Sequence, residues 1–521
     1  MYGALPAGDS PPLRVAAAQP VSHIPTLGGI TDGGDSLRFS LLPWLGLGLW
    51  ACGAQALEFR PCQITHPAGI ATVAAECTTL SVPESAERPG GHQIELFIAR
   101  VPAISARKAP DPLFVLAGGP GAAASEFYAA VAPAFARVNR ERDIVLVDQR
   151  GTGRSNALRC ALDDEALLDA GGEGEVIAAT RRCLAEVAAH ADVREYTTAA
   201  AVRDLEAVRG ALGLGQIDLY GVSYGTRVAQ QYMRHHGAQV RAAILDGVVP
   251  PQRILGPRLA IDAEAALGQV LARCNADEAC RSAFGDPVVH YRALRTQLES
   301  APAGVLLAAP RTGERVAFEF GAAHFATVLR LSTYSAEQAA LLPLALNEAH
   351  MHRNFVPLAS QYLLMSDTLN DQIAYGMHHS VVCAEDAPWF GDARTDRTAL
   401  AATFIGTLQL DGLETLCREW PRGVADDDLH QPLGSSVPTL LLSGGADPVT
   451  PPADGALAAA GLRHALHVVI DGMGHGQIGA PCVDRLIASF LERGTTEDLD
   501  TSCVARVRPM PFFTTLAGPP P

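Results

Sequence analysis

Charge is scarce in this sequence. Asp, Glu, Lys and Arg together make up 18% of its 521 residues, against 48% hydrophobic residues. So apolar a chain buries a core rather than staying disordered, and its length leaves room for an insertion or a second lobe. The charges sum to −16, which argues against a nucleic-acid backbone as partner. Metal-ligand spacings are missing: there is no C-x-x-C and no H-E-x-x-H, so no zinc site is expected. G-x-x-x-x-G-K does not occur, and no nucleotide cofactor is expected. No internal repeat is evident, and nothing in the pattern speaks to oligomeric state. The apolar run Phe39–Trp50 is broken by Pro43 and by glycines, which makes it too short for a stable membrane span.

That run has another use. Residues 1–37 are rich in Pro, Gly and Ala without a structural period; then come Arg38, the apolar run and Ala54-Gln55-Ala56. A basic residue, a short apolar stretch and an A-x-A site describe a secretory signal peptide cleaved near Ala56. Residues 1–56 are therefore read as an extension plus signal, and the mature chain as periplasmic or extracellular. The stretch before Arg38 is long for such a signal, and no Met lies between Met1 and Met233. A non-Met start codon nearer Leu37 is the expectation. Lipid attachment at Cys52 is disfavoured by the bulky Trp50 two residues earlier. Of eleven cysteines, ten follow the signal, in close pairs: Cys62/Cys77, Cys160/Cys183, Cys274/Cys280, Cys383/Cys417 and Cys482/Cys503. Local loops of this size suit disulfides in an oxidising compartment, although sequence alone does not fix connectivity.

Two segments, Cys77–Val82 and Gln93–Val101, alternate apolar and polar residues like half-buried antiparallel strands. The pattern then changes to short, nearly continuous apolar runs: Leu113–Ala117, Ile144–Asp148, Ile217–Tyr220, Ala242–Asp246, Thr439–Ser443 and Leu466–Ile470. Such runs suit parallel strands covered on both faces. Helical patterns separate them; Thr197 or Thr198 can cap one whose Val202, Leu205, Val208 and Leu212 share a face. This alternation predicts an α/β fold, a doubly wound and mostly parallel sheet. It is interrupted once. Residues 250–434 are Ala- and Leu-rich with helical periodicity, and are read as a largely helical lid inserted between core segments 57–249 and 435–521.

The chemistry centres on Gly221-Val222-Ser223-Tyr224-Gly225. A G-x-S-x-G stretch between a strand and a helix is the tight turn on which α/β-hydrolases present a nucleophile. A serine needs a base, and in that fold the acid and then the histidine follow it along the chain. Asp447 lies just past strand 439–443, and His475 just past strand 466–470. Both fall at the carboxyl edge of the sheet, where such sheets place their sites. Asp246 also follows a strand and is the second candidate acid. His467 sits within a strand, and His378-His379 and His235-His236 lack a loop position; packed or solvated histidines are the simpler reading. The oxyanion donors are expected from the backbone of Tyr224 and of Gly119, in the loop Gly118-Gly119-Pro120-Gly121.

Together GGPG at 118–121, DQRGTGRS at 148–155, GVSYG at 221–225, GGADPVTP at 444–451 and GHG at 474–476 resemble the secreted tripeptidyl-aminopeptidase branch of the proline iminopeptidase-like α/β-hydrolases. CTTLSVP at 77–83 and the closing segment Cys482 to Cys503 are similar too, so the likeness runs over nearly all of the mature chain. It implies a triad of Ser223, Asp447 and His475, and substrates that are peptides with a free N-terminus. It also implies a lid carboxylate for the substrate ammonium: Val382-Cys383-Ala384-Glu385-Asp386 resembles the lid segment that carries one. Glu385 is the candidate and Asp386 the alternate, weighed against a solvated acidic pair beside a disulfide. Arg150 is expected to shape a loop rather than react. Ala117 stands where proline iminopeptidases usually have His, which weakens a strict proline preference. Two rival readings remain: a carboxylesterase using the same residues, and a catalytically silent binding protein on this fold.

Overall fold

The computed structural model describes residues 57–160, 172–391 and 395–519, which belong to one compact unit. The segment read as a signal peptide, with Cys52, lies outside the described residues.

The runs read as buried strands are strands, joined by others into one sheet of nine. In chain order these are β1 (Arg60–Thr65), β2 (Thr72–Pro83), β3 (Gln93–Val101), β4 (Leu113–Leu116), β5 (Ile144–Val147), β6 (Ile217–Val222) and β7 (Val240–Asp246). After a small hairpin, β8 (Ala303–Ala308) and β9 (Arg315–Phe320), the sheet resumes with β10 (Thr439–Gly444) and β11 (Ala465–Ile470). Its order is β1-β2-β3-β5-β4-β6-β7-β10-β11. The first three strands join antiparallel, and from β5 to β11 every neighbouring pair is parallel.

The continuous apolar character of β5 follows from its two covered faces. Ile144 and Leu146 enter one core cluster, Val145 and Val147 the other, because successive side chains point to opposite faces. Thr197 caps the helix Thr198–Ala211, its side chain accepting from the Ala200 N–H. The chain leaves β4 toward β5 on one side and returns to β6 on the other. The crevice beyond the carboxyl ends of β4 and β6 is therefore the switch point at which such sheets bind ligands.

The stretch between β7 and β10 is mostly helical and carries its own core of Leu294, Phe320, Leu329, Leu346 and Leu358. Two of its elements return to the sheet's carboxyl edge: the end of helix Ala322–Ser332, and the helix Tyr375–Glu385. The hairpin β8–β9 departs from the helical pattern expected there. All ten cysteines after the signal form the five expected disulfides. Among the described residues no helix is long and apolar enough to cross a membrane.

Candidate active site

Strand β6 is buried along its whole length and runs directly into Ser223, whose backbone turns to φ 55° before the helix Tyr224–His236 begins. A positive φ is strained for a residue with a Cβ. Neighbours hold it there: the Ser223 N–H donates to the Asp246 carbonyl (2.9 Å), and its own carbonyl accepts from the Thr226 N–H (2.8 Å) and hydroxyl (2.6 Å). The flanking glycines are required by contact. A Cβ on Gly221 would sit 2.5 Å from the Gly225 carbonyl oxygen, and one on Gly225 would overlap the Leu116 carbonyl oxygen.

Asp447 and His475 meet beside this turn. His475 Nδ1 lies 2.8 Å from Asp447 Oδ2, and the Asp447 side chain is fully buried. The carboxylate is well held: Oδ1 accepts from the N–H groups of Val449 and Thr450 (2.8 and 2.9 Å), and Oδ2 from the Thr450 hydroxyl (2.9 Å). Thr450 Oγ1 is also 3.1 Å from His475 Nδ1. Burial works against a charged imidazole, but the Asp447 carboxylate outweighs it and lifts His475 above its ordinary value of 6.5. With Nδ1 facing Asp447, Nε2 is the nitrogen left for a reacting group. No hydrogen bond joins Ser223 Oγ to His475 in this structure, a gap common where no substrate is bound. Their proximity is set by the strands: Ser223 is bonded to Asp246, and a Cβ on the next residue, Gly247, would lie 3.0 Å from His475 Cε1.

The Gly118–Gly121 loop closes the third side. A Cβ on Gly118 would come 2.9 Å from Ser223 Cβ, so the loop passes against the serine. The Gly119 N–H makes no hydrogen bond among the described residues. Tyr224 opens the following helix, where backbone N–H groups and the helix dipole favour negative charge. Asp148 holds the start of the helix that follows the loop, its carboxylate accepting from the Ser125 N–H (2.9 Å) and hydroxyl (3.1 Å) and from the Arg154 N–H (3.1 Å). Arg150 is buried in a two-pronged pair with Asp204 (2.6 and 2.7 Å).

Asp246, the second candidate acid, is engaged elsewhere. It accepts from the Tyr220 hydroxyl and from the Gln477 N–H, both at 2.7 Å, and so ties down the segment after His475. Burial pushes its carboxyl up to about 6. His467 bonds Ser443 Oγ (3.0 Å) on its strand's face, and His235 lies near Asp426 and Asp428. His378, on the lid helix, sits 3.3 Å from the Pro120 carbonyl, and burial lowers its pKa.

Both lid carboxylates are buried: Glu385 is 1% exposed and Asp386 0%. Asp386 is spent on Arg227 (2.9 and 3.0 Å) and the Leu255 N–H (2.8 Å). Glu385 receives the Thr198 N–H (2.6 Å) and hydroxyl (2.8 Å), and that hydroxyl also meets the Tyr224 phenol (2.8 Å). Burial lifts Glu385 to about 7. The acidic pair beside the disulfide is thus not solvated. Three residues at the site carry no signal that singles them out in the sequence. Thr450 steadies the Asp–His pair. Tyr334 takes the His475 N–H on its carbonyl (2.8 Å) and sets its ring edge-on to the imidazole, centroids 5.3 Å apart. Arg330 reaches the Tyr334 hydroxyl (2.8 Å). Of these only Thr450 lies within a motif, GGADPVTP at 444–451.

A parallel sheet with a serine on this kind of turn, and an Asp–His pair two and three strands along, defines an α/β-hydrolase of the serine type. Comparison with known proteins agrees. The profile described as "alpha/beta hydrolase fold" matches residues 111–273, and that described as "TAP-like protein" matches residues 402–503. The serine protease Hip1 of Mycobacterium tuberculosis is 26% identical over 86% of this chain and 91% of its own. Carboxylesterase B of the same organism is 28% identical, covering 82% and 86%. The tripeptidyl aminopeptidase of Streptomyces lividans is 25% identical, covering 84% and 85%. The chain has the α/β-hydrolase fold, resembles TAP-like proteins over residues 402–503, and is a serine hydrolase.

Proposed function

We propose that this protein is an exported serine peptidase that releases tripeptides or single residues from the free N-termini of peptides. Ser223, Asp447 and His475 form its triad. The observation carrying the triad is the 2.8 Å contact between Asp447 and His475, at strand ends two and three places along the sheet from the strained serine. Ser223 Oγ attacks the acyl carbon while His475 Nε2 takes its proton. The oxyanion is held by the N–H groups of Gly119 and Tyr224, and His475 then returns the proton to the departing amine. Water repeats the sequence on the acyl-enzyme and frees the acid. Asp447 holds the imidazole's tautomer and stabilises its charged form. Export is supported by the five disulfides, which persist in oxidising compartments, and by the signal-like segment ending near Ala56. Sequencing the N-terminus of the secreted protein tests it.

The peptidase reading is supported by the relatives named serine protease and tripeptidyl aminopeptidase. A second reading, carboxylesterase, is favoured by one observation: both lid carboxylates are buried and bonded, so no free anion awaits an ammonium group. The deciding experiment offers the purified protein tripeptidyl and single-residue amides with free and acetylated N-termini, beside matched esters, with Ser223→Ala as control. Preference for free amines on amides sustains the aminopeptidase. Equal cleavage of acetylated forms, or turnover of esters alone, moves the assignment to an acyl hydrolase of the second kind.

A further inference from the structure

A cation lies beside the Asp–His pair. Arg330 lies in the last turn of the lid helix Ala322–Ser332 and is partly exposed. Its single hydrogen bond runs from Nη2 to the Tyr334 hydroxyl (2.8 Å), over whose ring it also leans at 5.6 Å. Nε is buried without a partner, and no carboxylate among the described residues pairs with it. The buried guanidiniums near the site are neutralised: Arg227 by Asp386, Arg150 by Asp204, Arg253 by Asp262 and Asp454. A guanidinium presents a planar fork of donors matched to a carboxylate. A fork that no carboxylate among the described residues occupies, beside the Asp–His pair, suits a ligand that supplies one.

Its place says which part of the substrate that is. Tyr334 links Arg330 to His475 by ring contact and backbone hydrogen bond. The guanidinium is near enough to oppose protonation of His475 and of His378, the neighbour of Pro120. Through Tyr334 it therefore stands beside the imidazole that serves the leaving group. We propose that Arg330 binds a carboxylate on the leaving-group side of the scissile bond, making this a hydrolase selective for short acidic or C-terminally free peptides. This rests on the triad reading above. The α-carboxylate of a single leaving amino acid is two bonds from the scissile nitrogen, and an Asp or Glu side chain at that position offers the same chemistry.

The test uses tetrapeptides that differ in their last residue: Gly with a free carboxylate, Gly amide, Asp amide and Asn amide. A fifth peptide carries the acid on the acyl side instead. A charge-assisted, two-pronged bond predicts kcat/KM about 10- to 100-fold higher for a carboxylate than for its amide. The free-Gly to Gly-amide ratio reports the α-carboxylate, and the Asp-amide to Asn-amide ratio the side chain. Arg330→Gln brings both ratios near one, and Arg330→Lys restores part of either. Arg330→Gln also moves the ascending, low-pH limb of the pH profile to higher pH, because a cation opposing His475 protonation is gone while Asp447 and Asp246 remain. A merely structural arginine would leave the ratios in place. Binding of the same peptides to Ser223→Ala, measured by calorimetry, reads the preference without turnover. It keeps a failure of the Arg330 proposal distinguishable from a failure of the triad. Wild-type ratios near one, ratios unchanged in Arg330→Gln, or a preference confined to the acyl-side acid overturns the proposal.

Discussion

At Ser223 the backbone holds a conformation that costs a non-glycine residue roughly 1–3 kcal/mol, and the hydroxyl is the side-chain group presented there. Ser223→Ala keeps the Cβ and every backbone bond. The expected outcome is an unchanged or slightly higher melting temperature together with loss of hydrolysis, measured on one preparation. His475 gives the pH dependence. As base it must be neutral, and Asp447 raises its pKa above 6.5. kcat/KM therefore rises with pH through a midpoint above that value; a flat profile between pH 6 and 8 would remove His475 from the role. Asp447→Asn preserves shape but lets the imidazole take the wrong tautomer, and a loss of about 10⁴-fold in kcat is expected. Asp246→Asn separates the two candidate acids. It disturbs the Tyr220 and Gln477 contacts and leaves the imidazole's partner in place, so its loss should be far smaller.

At the scale of elements, the lid helix Tyr375–Glu385 docks through its ends. Before its start the Ala374 N–H donates to the Gly121 carbonyl (2.9 Å), and at its end Glu385 meets Thr198. Glu385 titrates near 7 in the fold against 4.5 ordinarily, mainly through burial, which Arg227 and Thr198 offset only in part. The folded state thus keeps a proton that the unfolded chain releases, and stability falls as pH rises from about 4.5 through 7. Gln at this position carries no such charge. The melting temperature of Glu385→Gln minus that of the parent should grow across that window and level off above it. A constant difference would mean that Glu385 ionises as freely in the fold as out of it. The core strands and this helix differ in what sequence reveals of them. A strand covered on both faces is apolar at every position, so β4, β5 and β10 are legible. Strand β1 is an edge with one buried side chain, Ile64, and leaves no pattern. The hairpin β8–β9 hides in an Ala- and Leu-rich stretch. In the site, residues set by a local turn are legible, Ser223, Asp447 and His475 among them. Arg330 and Tyr334 are not, because only the return of the lid brings them to the sheet edge.

Across the whole molecule the triad straddles the insertion. Ser223 comes before the lid and Asp447 and His475 after it, yet their strands are neighbours in one sheet, β6-β7-β10-β11. The lid is therefore threaded through the site and shapes it, rather than being appended to it. Its tie is Cys383–Cys417, which closes a loop of sequence separation 34 between the helix that carries Glu385 and the helix Leu408–Glu419. In the chain-entropy picture a loop of that length contributes about 4 kcal/mol by restricting the unfolded state. The double variant Cys383→Ser/Cys417→Ser should lower the denaturant midpoint accordingly. It should also lower kcat/KM, because Glu385 joins the Tyr224 end of the elbow through Thr198. Opening Cys62–Cys77 provides the contrast, since that bridge joins β1 and β2 at the far edge of the sheet. Its loss should cost stability with kcat/KM retained in the protein that remains folded. Equal losses of activity in both variants would mean that the lid tie acts through global stability alone, and not on the geometry around Ser223.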